Sequence, residues 1–147
     1  MPYTKILIHA VWATKDRKHL LKKENREALL DHIIEYSKSK GIHIININGS
    51  TEHLHCLLSL SNDQNIATIM NLLKGESSFW ANKNLKFSEK FGWQDEYFAV
   101  SVSQSHFKIV NDYISNQEEH HKKKTFQEEY NEFIKNYGFE ERAKALN

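Results

Sequence analysis

Residues 51–60 read TEHLHCLLSL. In an extended strand successive side chains point to opposite faces, so His53, His55, Leu57 and Ser59 share one face and Leu54, Cys56, Leu58 and Leu60 the other. The second set is wholly apolar and marks the core side. The two histidines therefore project together onto the opposite face, where an open surface is expected. Two readings stand at this point: polar residues at a sheet edge, or two ligands of a metal site. The pair alone decides little, because a chain with nine histidines contains a His-x-His by chance roughly half the time.

Working outward, residues 42–48 (IHIININ) and 53–60 are two β-rich runs joined by a short link at Gly49-Ser50, which reads as an antiparallel hairpin. Residues 4–14 (TKILIHAVWAT) form an apolar run suited to a central strand. Between these runs, residues 23–40 carry Leu29, Leu30, Ile33, Ile34 and Ser37 at helical spacing, and Gly41 supplies the C-terminal stop. A second helix is expected over about 65–82, with Ile66, Ile69, Met70, Leu73 and Phe79 as its apolar members. A strand follows at 97–102 (YFAVSV). A third helix is expected over about 106–121, N-capped by Ser103 or Ser105. The last helix spans about 125–137, with Phe126, Tyr130, Phe133, Ile134 and Tyr137 on its apolar face.

The order is β-α-β-β-α-β followed by two helices. It predicts an α+β chain with a ferredoxin-like antiparallel sheet, helices on one face, and a C-terminal helical appendage. With helices on one side only, the other face of the sheet is expected to be free for a ligand. One proline, five glycines and no Ser/Gly-rich linker give no domain boundary. A single domain over 1–147 is expected, with a core over about 1–102.

Hydrophobic residues make up 39% and charged residues 27% of the 147-residue chain, the balance of a globular protein rather than a disordered one. No apolar run approaches the ~20 residues of a membrane span, and the N-terminus lacks a signal-peptide pattern. The one cysteine, Cys56, excludes an internal disulfide and fits a cytoplasmic setting. Twenty basic and 19 acidic residues leave a net charge of +1, so any nucleic-acid contact depends on local patches. Such patches lie at Lys15, Arg17, Lys18, Lys22 and Lys23, and at Lys122, Lys123 and Lys124.

On the third helix Tyr113 and Gln117 are four residues apart and stack on one face. Phe107, Val110 and Ile114 form the adjoining apolar stripe. A His-hydrophobic-His motif (His53-Leu54-His55) opening a strand, then a helix carrying Tyr-x-x-x-Gln, resembles the single-tyrosine HUH transposases. These are the enzymes of insertion-sequence-200-like elements and of their REP-associated relatives. HAVWATKDRKHLL near the start, LLKGESS at 72–78 and YISNQEEHHKKKTFQEEY match the family in order and spacing, so the resemblance covers nearly the whole chain.

The resemblance implies that His53, His55 and the side-chain oxygen of Gln117 bind a divalent ion, Mg²⁺ or Mn²⁺, which stabilises charge at the scissile phosphate. Tyr113 would be the nucleophile, leaving a 5′-phosphotyrosine and a free 3′-hydroxyl. The substrate implied is single-stranded DNA with hairpin ends. The implied assembly is a homodimer in which the tyrosine helix of one subunit completes the site of the other. By the same analogy Arg17, Lys18, Lys74 and Lys122–Lys124 are the phosphate contacts, and Trp12, Trp80 and Trp93 are candidate stacking surfaces. His9, His120, His121 and the tail GFEERAKALN have no assigned role. Two alternatives stand beside this reading. Another HUH-type endonuclease, such as a replication initiator or relaxase, is usually larger. A non-catalytic module binding hairpin nucleic acid has no need of Tyr113 beside a third ligand.

Overall fold

The computed structural model describes residues 2–117 and 125–136. The expected tail and the positions Lys122, Lys123, Lys124, His120, His121 and Tyr137 lie outside the described residues. The elements are β1 (Ile6–Ala13), a short 3-10 turn (Lys15–Arg17), α1 (Lys23–Ser39), β2 (His43–Gly49), β3 (His53–Leu60), α2 (Ile66–Asn84), β4 (Phe98–Val102), α3 (Phe107–Ser115) and α4 (Phe126–Asn136). The strands form one antiparallel sheet in the order β2-β3-β1-β4. This is the expected α+β, ferredoxin-like arrangement, with the tyrosine carried on a C-terminal helical appendage.

Local chemistry sets the element ends. Asn65 caps α2 by accepting a hydrogen bond from the Thr68 backbone N–H at 2.9 Å, which satisfies one of the donors every helix start leaves open. Gly41 closes α1 with φ of +68°, a left-handed conformation that costs glycine nothing. At Gly49 an added Cβ would sit 2.2 Å from the His53 carbonyl oxygen and 2.9 Å from Leu54 Cα. The hairpin closes only because that position has no side chain.

The main core lies between the sheet and the α1/α2 layer. Leu29 and Ile33 of α1 and Ile69, Met70, Leu73 and Ala81 of α2 cover Ala10, Trp12, Ile47, Leu54, Cys56 and Leu58. The apolar face of β3 is therefore the core face, as its alternation requires. Phe79 departs from expectation: it is 69% exposed. Ser77 and Ala81 occupy the buried stripe instead, because the stripe drifts with the 3.6-residue turn and Phe79 falls beyond its edge.

β2 contains a bulge at Ile45, shown by the shift from Ile44 opposite Leu58 to Asn46 opposite Leu57. One extra residue lets Ile44 and Ile47 both face the core while Asn46 and Asn48 face the other side. That other side is not the free surface expected from the sequence. Leu57, His53 and His55 are all at most 1% exposed, because α3 packs on β2 and β3 and Glu129 of α4 reaches the histidines. The helical appendage that carries the tyrosine thus covers the second sheet face.

Candidate active site

The turn between β2 and β3 holds the first half of the site. Ser50 N–H bonds to the His53 carbonyl at 3.0 Å, and Thr14 at the end of β1 donates from its N–H to the Glu52 carbonyl at 2.8 Å. With its backbone pinned, Glu52 turns its carboxylate onto His53, Oε1 lying 2.7 Å from Nδ1. Ser50 Oγ donates to the same oxygen at 2.7 Å, and His19 Nδ1 lies 3.1 Å from Oε2. Burial pushes the Glu52 carboxyl up, but its hydrogen bonds with His53 and Ser50 outweigh this and hold it at about 2. An ionised carboxylate on Nδ1 fixes the ring orientation and leaves Nε2 pointing away.

His55 is held in the same manner by a different partner. The β1–β3 register places His9 opposite Leu57 and Val11 opposite His55, so His9 shares the histidine face one pair along. His9 Nε2 lies 2.9 Å from His55 Nδ1. Burial first, and the neighbouring His55 second, lower the His9 imidazole to about 3. A neutral His9 accepts from the His55 Nδ1–H, and this again directs the outer nitrogen, Nε2, into the site.

α3 is clamped to the sheet by the two asparagines that the β2 bulge turns toward it. Asn48 Nδ2 donates to the carbonyls of Ile114 and Ser115 at 3.0 and 3.2 Å. Asn46 Nδ2 donates to the Asn111 carbonyl and Oδ1 at 3.2 and 2.9 Å. Two of these acceptors are end-of-helix carbonyls that have no partner within the helix. Ile114, fully buried, anchors the same end. One residue earlier, Tyr113 sets its ring against His55, with centroids 5.4 Å apart and planes at 81°.

The expected helix over 106–121 is broken early. α3 ends at Ser115, and Asn116 adopts φ −102°, ψ 26°. Gln117 nevertheless remains fully buried, with Nε2 3.4 Å from the Tyr113 carbonyl. Its Oε1 is buried and meets no hydrogen-bond donor among the described residues.

Glu129 of α4 completes the cluster. Its Oε1 lies 2.9 Å from His55 Nε2 and its Oε2 3.3 Å from His53 Nε2, and the Tyr113 hydroxyl donates to Oε1. Burial raises the Glu129 carboxyl, yet hydrogen bonds from His53 and His55 prevail and hold it at about 2. The same bonds, with those from Glu52, lift His53 above its usual value against the downward pull of burial. A cleft of ≈ 220 Å³ lined by His9, Val110, Tyr113, Glu129 and Glu132, among others, opens beside this cluster.

The profile of the family described as "Transposase IS200 like" matches residues 2–117. The chain belongs to the IS200-like transposase family. Among curated proteins, the chain is 29% identical over 114 residues to the ISDra2 transposase TnpA of Deinococcus radiodurans, covering 74% of this chain and 81% of the relative. It is 27% identical over 119 residues to the transposase for insertion sequence element IS200 of Salmonella typhimurium, covering 78% of each. Two solved structures share the fold. One is a protein assigned as a transposase from Deinococcus radiodurans R1 (TM-score 0.60, 22% identity, 79% of this chain and 93% of the other). The other is a REP-associated tyrosine transposase bound to a REP hairpin (TM-score 0.63, 17% identity, 82% and 72%).

In this IS200-like chain, then, His53, His55 and Tyr113 come together within one chain, and Gln117 is buried one turn beyond the tyrosine. Of the expected basic contacts, Arg17, Lys18 and Lys74 are among the described residues. Arg17 lies in the 3-10 turn, with φ of +53°, and donates to Gln127 of α4. Lys18 is paired with Glu89. Lys74 donates to the carbonyls of Gln94 and Asp95 at 2.7 and 2.9 Å, a brace for the loop before β4. Trp12 is not a stacking surface: at 2% exposure it packs edge-on against Trp93, itself in the core. Trp80 is half-buried and stacks on His32 at 4.1 Å.

Sequence reading missed Glu52, His9, the two asparagines and Glu129. His9 was within reach, because its alternation with Val11 and Ala13 needed only the β1–β3 register. Glu129 was not, because nothing local distinguishes it from Glu128.

The donor set suits a divalent ion. Both imidazoles have Nδ1 engaged and turn Nε2 to the Glu129 carboxylate, and Gln117 offers a buried amide oxygen that meets no donor among the described residues. Two nitrogens with oxygen ligands suit Mn²⁺ well, and Mg²⁺ with added water or phosphate oxygens.

Proposed function

We propose that this transposase cleaves and rejoins single-stranded DNA at hairpin-bearing ends, with Tyr113 as nucleophile. The observation that carries the reading is that His53 Nε2, His55 Nε2 and the Tyr113 hydroxyl all meet the Glu129 carboxylate, with the Tyr113 ring set against His55. His53, His55 and Gln117 would hold the divalent ion. When bound, that ion supplies positive charge to the non-bridging oxygens of the scissile phosphate. The chain's own groups do the rest. Glu52 and His9 fix the two imidazoles, and Asn46 and Asn48 fix the helix that carries Tyr113. The cleft beside Tyr113 admits a phosphodiester.

Tyr113 Oη attacks phosphorus and gives up its phenol proton to solvent, the P–O3′ bond breaks, and the 3′-oxygen takes up a proton from solvent to leave as a free hydroxyl. The 5′-phosphotyrosine keeps the phosphodiester energy, so a second 3′-hydroxyl can reverse the step on a new strand without a nucleotide cofactor. Each chain offers one such tyrosine, so joining two ends calls for two chains. A homodimer working in the cytoplasm is part of the proposal. The hairpin-bound REP-associated relative supports a hairpin substrate.

The test is incubation of the protein with a labelled hairpin-bearing single strand and Mn²⁺, followed by denaturing electrophoresis. A covalent protein–DNA band is expected, lost in Tyr113→Phe. An adduct that persists in Tyr113→Phe removes the tyrosine from this role, and an adduct unchanged in His53→Ala/His55→Ala removes the metal assignment.

A further inference from the structure

The site has one more oxygen donor than the sequence pattern reveals. We propose that Glu129, from α4, is itself a ligand of the divalent ion, so that the ion's protein ligands are two imidazoles, one amide and one carboxylate. The inference rests on the metal reading above and deepens it. Its carboxylate oxygens lie 2.9 and 3.3 Å from His55 Nε2 and His53 Nε2. Neighbouring ligands around a six-coordinate ion with bonds of ~2.1 Å stand ~3.0 Å apart. One ligand atom from each of the three residues falls within 4.8 Å of the others, a spacing from which all three reach one ion with small side-chain adjustments.

Charge points the same way. Glu129 is buried in a cleft that must take a phosphodiester. A carboxylate and a phosphate side by side repel in a site of low dielectric unless a cation lies between them. As a ligand Glu129 also places the nucleophile, because the oxygen nearest His55 accepts the Tyr113 hydrogen bond. The Tyr113 hydroxyl then stands one hydrogen bond from the ion. The added carboxylate oxygen suits Mg²⁺ as well as Mn²⁺.

The experiment is calorimetric titration of Mn²⁺ into the full-length protein and into Glu129→Gln and Glu129→Asp, without DNA. Water-proton relaxation of the Mn²⁺ complexes and circular dichroism of the metal-free proteins accompany it. If Glu129 is a ligand, the glutamine variant binds Mn²⁺ at least ~10-fold more weakly, its bound ion gains coordinated water, and the aspartate variant lies between. Affinity that is unchanged or tighter in Glu129→Gln overturns the proposal, and shows a carboxylate that occupies the ion's place and must leave it. If the parent protein binds no Mn²⁺, the metal reading itself fails. Binding by the parent with no effect of Glu129 fails this inference alone. A glutamine variant that loses its dichroism is set aside for Glu129→Asp: intermediate affinity there supports the proposal, and unchanged affinity overturns it.

Discussion

The two faces of β3 are buried alike and built oppositely. Leu54, Cys56 and Leu58 on one face and His53, His55 and Leu57 on the other are each at most 1% exposed. The first face is silent chemistry. Leucines lie against α1 and α2, and the Cys56 thiol is pushed well above its usual range by burial alone, which makes it inert. On the second face every imidazole is oriented by a partner from another element: Glu52 from the turn, His9 from β1, Glu129 from α4. Burial of polar groups is costly unless they are paired, so the second face exists only because those partners arrive. One face stabilises by exclusion of water, the other holds reactive groups in place.

That contrast can be pressed from either side. Leu58→Ala should cost ~2–5 kcal/mol of unfolding free energy by leaving a cavity, measured by urea denaturation. The Mn²⁺ affinity of the folded variant should be unchanged. His9→Phe should do the reverse. A ring of similar volume keeps the packing, while His55 loses its Nδ1 acceptor and metal affinity falls ~10–100-fold, read by titration. Equal damage from both substitutions would erase the distinction between the faces.

Asn48→Ala leaves two α3 carbonyls without donors and should cost ~1–3 kcal/mol. It should also slow adduct formation in single-turnover assays while leaving Mn²⁺ affinity in place, because it loosens the nucleophile's helix and not the histidines. The smallest effect is acid sensitivity of the metal-free protein. Glu52 and Glu129 have carboxyls held at about 2 in the fold, below the ordinary ~4.3. The folded state therefore binds fewer protons than the unfolded one across that interval. Their contribution is whole above the ordinary value and is lost as pH falls from there toward about 2. Thermal melts across that window should decline less in Glu129→Gln.

The site also shows why some residues speak in the sequence and others do not. His53 and His55 announce themselves because strand alternation assigns them a face and Leu54, Cys56 and Leu58 fix which one. Tyr113 and Gln117 follow from helical spacing. Even so, the spacing misjudged the helix, which breaks at Asn116 while Gln117 stays buried. Glu129 is silent because its role is a distance, not a pattern: it lies 74 residues beyond His55 in the chain and 2.9 Å from it in space. Trp12 misleads for the converse reason, since an aromatic in a strand looks the same whether it faces a ligand or the core.

The sequence by itself determined the element order, the core face of β3, the pairing of two histidines on its other face, and the family. These follow from periods of 2 and 3.6, which any local stretch expresses. Only the tertiary structure decided that the histidine face is covered rather than open. It also decided that the β2 bulge turns Asn46 and Asn48 onto α3, that His9 orients His55, and that Glu129 meets both imidazoles and Tyr113. Each of those depends on strand register or helix docking, where energies summed over many distant contacts choose which side chains become neighbours.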